Sequence, residues 1–278
     1  MTFAPHRRRL ALIIATALGL SLSVLSSAQA GTSAWVDNAG GRMRLVAMAP
    51  DEHGKIRAGL QIEPNAGWIT YWREPGNSGI PPQIMIAPET GVTLDKIGYP
   101  IPKHIKDERL DDIGYDAPVT LPLTLSATSD ATEIKAQAFI GICKDICVPF
   151  QADLTVALSA VGQSQPEEKA ILDAADAQLP EAPSSEFQVT KHTLSADHKE
   201  LTLDITLPDI GDTTPDVVIA GPSGYVFTKQ LISKRDGAAL TTKIAIGKLP
   251  KNYDISGKSW SALVIDGTRA IESPLAFK

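Results

Sequence analysis

Short apolar segments punctuated by Pro, Gly, Asn and Asp run along most of this chain, and a single stretch breaks their period. The clearest is Leu201-Thr202-Leu203-Asp204-Ile205-Thr206-Leu207, which puts four apolar residues on one face of a strand. In the first half, strands are expected at 42–49, 56–62, 68–72, 83–87, 93–97, 119–125, 133–140 and 152–158, as in an antiparallel sandwich. In the second they are expected at 187–193, 201–207, 216–220, 227–233, 240–246 and 259–265, with Asp266-Gly267 turning the chain into 269–273. Between the two sets, Ser164-Gln165-Pro166-Glu167 reads as a capping box opening a helix over 168–179, which Pro180 and Pro183 stop. The expected fold is all-β: two immunoglobulin-like antiparallel β-sandwich domains joined by a short helical connector. Their bounds are 31–161, 162–185 for the connector, and 186–278.

The first thirty residues do not fit this pattern. Arg7-Arg8-Arg9, the apolar run Leu10 to Leu25 and Ala28-Gln29-Ala30 read as a secretory signal cut after Ala30. No later stretch is apolar over the roughly 18 residues that a membrane span needs, so the mature chain is expected to be soluble and periplasmic. The whole chain carries a formal charge of −6, and losing three arginines with the signal makes the remainder more acidic. Nucleic acid and anionic lipid are poor partners for such a surface, since both are bound through clustered Lys and Arg.

The only two cysteines are Cys143 and Cys147, separated by Lys144-Asp145-Ile146. An extended path would hold their Cα atoms roughly 13 Å apart, whereas a disulfide tolerates about 4.4–6.8 Å. If bridged, they must lie at a tight turn, which the flanking strand signals place at the mouth of a hairpin with Pro149 ending its ladder. Closing so short a loop restricts the unfolded chain by only about 2 kcal/mol. The pair is therefore either redox-active, a local structural staple in a binding module, or a Cu(I) ligand pair.

Other conspicuous residues have ordinary readings. Trp68, Tyr71 and Trp72 fit core or hairpin packing. Asp107, Glu108, Asp111 and Asp112 read as a solvated acidic loop; beside Cys143 they would disfavour its thiolate. His53, His104, His192 and His198 lack metal-ligand spacing, and no cofactor motif stands out.

The cysteine segment Gly141-Ile142-Cys143-Lys144-Asp145-Ile146-Cys147-Val148-Pro149, followed by Ala152-Asp153-Leu154, resembles one family. Upstream pieces occur in matching order: Gly67-Trp68-Ile69-Thr70-Tyr71-Trp72-Arg73, Pro75-Gly76-Asn77-Ser78-Gly79-Ile80-Pro81-Pro82, Asp107-Glu108-Arg109-Leu110, and Gly114-Tyr115 leading to Val119-Thr120-Leu121-Pro122-Leu123. Together they are similar to the N-terminal periplasmic domain of the thiol:disulfide interchange protein DsbD and its relative ScsB, over about residues 35–160. The cysteine spacing is nearer the ScsB type. The resemblance implies an immunoglobulin-like fold, Cys143 and Cys147 as the redox pair, and a cap loop at Asp107, Glu108, Arg109 and Leu110. It also implies partners: a membrane-embedded thiol:disulfide reductase and periplasmic thioredoxin-like proteins. With neither a membrane domain nor a Cys-x-x-Cys domain in this chain, the expected donor is a separate protein.

Overall fold

The structure, a computed structural model, describes residue 1 and residues 31–76, 79–106, 111–208, 214–250 and 253–277. The expected signal segment therefore lies outside the described residues. The first half holds β1 (Val36–Asn38), β2 (Gly41–Ala47), β3 (Lys55–Pro64), β4 (Ile69–Gly76), β5 (Gln83–Ile86) and β6 (Val92–Ile97). It continues with β7 (Lys103–Lys106), β8 (Asp111–Tyr115), β9 (Val119–Ala127), β10 (Glu133–Cys143) and β11 (Cys147–Ala157). After helix α1 (Pro166–Asp176) come β12 (Gln188–Leu194), β13 (Glu200–Thr206), β14 (Asp216–Gly221) and β15 (Tyr225–Phe227). The last are β16 (Gln230–Asp236), β17 (Ala239–Ala245), β18 (Trp260–Asp266) and β19 (Arg269–Leu275).

The chain is mostly β, in antiparallel sheets on either side of the one α-helix among the described residues. In the first half, the sheet β1-β2-β3-β9-β6 stacks on β11-β10-β4-β8-β7, with β5 paired to β10. The inner faces meet in a core of Leu45, Leu60, Leu121, Leu125, Trp72 and Ile140, all at most 1% exposed. In the second half, β12-β13-β17-β16 stacks on β15-β14-β18-β19. Leu203, Ile219, Trp260 and Val264 fill that core.

The two halves share buried surface. In β14 and β18, alternate residues face opposite ways: Ile219 and Val264 face their own core, while Val218, Ala220 and Leu263 join the core of the first half. Both strands are thus buried on both faces. Helix α1 lies on β3 and β9, with Leu172 at 1% exposure against Gly59.

Several sequence expectations need correction. The capping box does not form: Gln165 is the N-cap residue and no side chain caps the helix. The Gln165 amide is drawn away, its Oε1 accepting the Ala49 N–H at 2.5 Å and its Nε2 donating to Ala47 O at 3.2 Å. The helix begins at Pro166 and ends at Asp176, short of Leu179. Strands β1, β7 and β8 were not anticipated, and the strand expected at 227–233 is divided between β15 and β16.

Candidate functional site

Strands β10 and β11 form an uninterrupted ladder from Glu133↔Ala157 to Cys143↔Cys147, so the cysteines stand directly opposite each other. The loop between them is Lys144-Asp145-Ile146, with the Lys144 N–H donating to Ile146 O at 3.2 Å. The sulfurs are joined as a disulfide and the Cα atoms are 4.1 Å apart, close to the roughly 4.5 Å of a non-hydrogen-bonded antiparallel pair.

That register corrects the expectation for Pro149, which lies inside the ladder opposite Gly141. Two residues beyond a non-hydrogen-bonded pair the pairing is again non-hydrogen-bonded, so proline's missing N–H is not needed there. Gly141 accordingly directs its N–H to Ile80 O, at 3.3 Å.

Along β11 burial alternates without a fault: Phe150, Ala152, Leu154 and Val156 face inward, while Cys147, Gln151, Asp153 and Thr155 face outward. The phase of the strand therefore delivers Cys147 to the surface. Cys143 shares that outer face but is only 3% exposed, because Ile69, Tyr71 and Ile105 cover it in a small apolar cluster apart from the main core. At the tip, Ile146 is 70% exposed. The disulfide thus joins an exposed residue, Cys147, to a buried one, Cys143.

Tyr71 builds the inner wall. Its ring is fully buried and lies beneath glycines where side chains would collide. A Cβ at Gly79 would come 2.5 Å from Tyr71 Cδ1, and one at Gly141 would come 2.7 Å from Ile80 Cβ and 3.2 Å from Tyr71 Cδ2. The Tyr71 hydroxyl sits 3.4 Å from Cys147 Sγ and 3.5 Å from Asp112 Oδ2. Burial first, then the Asp112 carboxylate, push the Tyr71 hydroxyl well above its ordinary range, so it stays protonated as a donor beside the sulfur.

Cys143 and Cys147 are thus brought together. Asp107, Glu108, Arg109 and Leu110 lie outside the described residues; their flanks Lys106 and Asp111 pair across β7 and β8. The solvated-loop reading fails for Asp112, which is 1% exposed within β8. Asp111 belongs to β8 too and sits 2.5 Å from His104 Nε2, a residue given no role from sequence. Tyr71 was taken for packing alone. Its signal was present in the ordered segments Gly67–Arg73 and Pro75–Pro82, whose glycine and tyrosine meet here.

Residues 43–159 match the family model described as thiol:disulfide interchange protein DsbD, N-terminal. This part of the chain is similar to the DsbD N-terminal domain family. Residues 178–278 match a family described only as a domain of unknown function. The crystal structure of the N-terminal periplasmic domain of ScsB from Proteus mirabilis superposes with a TM-score of 0.72, covering 90% of this chain and 100% of that one. At 19% identity that likeness is one of fold, and it extends beyond the DsbD-type domain into the second half. No curated protein matches the chain. Among the described residues, no helix is long and apolar enough to cross a membrane.

Proposed function

We propose that this protein is a periplasmic thiol:disulfide exchange protein, relaying reducing equivalents through Cys143 and Cys147 between a separate membrane reductase and thioredoxin-like partners. The observation that carries this reading is the asymmetry of the disulfide: Cys147 is exposed on a hairpin tip, whereas Cys143 is buried behind Tyr71. On this reading the partner attacks Cys147, the exposed residue of the pair. In the reductive half, a donor thiolate attacks Cys147 Sγ, a mixed disulfide forms, and Cys143 leaves as a thiolate. The donor's second thiolate then attacks its own sulfur in that bond and releases Cys147. Two electrons have passed to this chain, and the donor is left as a disulfide. In the oxidative half, the Cys147 thiolate attacks an oxidised partner and Cys143 resolves the mixed disulfide. Residues 107–110, which fall between β7 and β8 in the sequence, are proposed as the cap that governs access.

Exposure predicts which cysteine holds a partner. In cells, Cys143→Ala should trap mixed disulfides through Cys147, and Cys147→Ala should trap few or none. Equilibrating the purified protein against glutathione should give a reversible midpoint. A pair that stays oxidised at potentials below about −300 mV would mark a structural disulfide and end the relay reading.

A further inference from the structure

Gly31 occupies a socket with no room for a side chain. Its φ is +100°, in the left-handed region that favours glycine. A Cβ there would lie 2.5 Å from Gln165 Nε2 and 2.7 Å from Glu168 Oε1. The residue is buried, its N–H donating to Ala157 O at 3.3 Å and its carbonyl accepting from Ala47 N at 2.7 Å. The walls of the socket thus come from β2, the end of β11 and the first turn of α1.

The two polar side chains in that wall differ. Gln165 is fully engaged, with both ends of its amide bonded to the backbone at Ala47 and Ala49. Glu168 is 6% exposed, yet its carboxylate has no hydrogen bond or ion pair among the described residues. A carboxylate on so buried a residue is a ready partner for a nearby cation. The carboxylate lies on the side of Gly31 where a Cβ would stand, and Gly31 is the residue that the sequence places immediately after the expected signal cut.

We propose that the α-ammonium of Gly31, created when the Ala30–Gly31 bond is cut, pairs with the Glu168 carboxylate and locks α1 onto the first sandwich. Water adds across the peptide bond, leaving a carboxylate on Ala30 and a protonated amine on Gly31. The ammonium keeps the donor that serves Ala157 O and gains further N–H groups for Glu168. Processing then completes the fold as well as releasing the chain, and glycine is required at the new terminus because any side chain would meet Gln165 and Glu168.

The test compares the full mature chain starting at Gly31, the same chain starting at Gln29, and Glu168→Gln in each. The exported protein should have the mass of a chain beginning at Gly31. The two-residue extension and Glu168→Gln should each lower Tm by about 3–8 °C, and their combination should be no worse than the larger single effect, since both remove one pair. The Gly31 amine should also acylate several-fold faster in Glu168→Gln. A different first residue, an extension without effect on Tm, additive losses, or equal amine reactivity would overturn the proposal.

Discussion

A tyrosine hydroxyl has one proton, so Tyr71 can donate to Cys147 Sγ or to Asp112 Oδ2 but not fully to both. In the disulfide state sulfur is a weak acceptor and the carboxylate competes well. After reduction, a Cys147 thiolate becomes a charged acceptor and draws the donor to itself. The carboxylate that raises the Tyr71 hydroxyl also disfavours negative charge on the nearby sulfur. Tyr71→Phe should therefore slow the reaction of the reduced protein with a small disulfide, and Asp112→Asn should speed it. Each change should be up to about tenfold, the equivalent of roughly 1.4 kcal/mol. Stopped-flow rates at constant pH measure both. Equal rates in the two variants would remove Tyr71 and Asp112 from the chemistry.

Strand β11 shows how an element positions a side chain: its inward residues Phe150 to Val156 fix the phase, and Cys147 follows from it. This alternation was readable in the sequence over 152–158, but its extension through Pro149 was not, because proline normally ends a ladder. Strands β7 and β8 were unreadable for another reason. Lys103-His104-Ile105-Lys106 and Asp111-Asp112 look solvated, and only pairing to β4 turns Asp112 inward. Helix α1 was legible, whereas its docking was not. Leu172 is fully buried where Gly59 leaves space, with its Cδ2 2.8 Å from where a Cβ would stand. Leu172→Ala should cost about 2–4 kcal/mol, read as a lower urea midpoint with an unchanged slope.

Across the chain, Arg73 ties the two halves. Its guanidinium donates to both carboxylate oxygens of Glu272 and to Ser261 Oγ at 3.3 Å, and its Cζ lies 3.9 Å above the Trp72 ring. With the buried contacts of Val218, Ala220 and Leu263, this makes unfolding of one half costly to the other. The protein should melt in one calorimetric transition. Arg73→Ala should lower its midpoint by several degrees, for a loss of about 1–3 kcal/mol, and two resolved transitions in the parent protein would contradict the shared core. Alkali tests the same burial. Tyr71 and Tyr115 both have raised hydroxyl values, caused first by burial, so folding favours their protonated forms. Their contribution is complete below the unfolded value near pH 10 and is lost as pH rises through the folded values. Urea midpoints should hold up to about pH 10 and fall progressively above it.

Local chemistry was enough to foresee a mostly β chain, one helical interruption and a cysteine pair at a tight turn, because alternation, proline punctuation and a four-residue spacing act over a few neighbours. The unequal exposure of the two sulfurs, the burial of Asp112 and the meeting of Gly79 with Tyr71 depend on groups far apart along the chain. The Gly31 socket and the shared core do as well. Such contacts exist only once the sheets stack, since no local pattern records which distant residue will cover a given face. The paired cysteines were visible from the start, and folding is what leaves Cys147 exposed and buries Cys143.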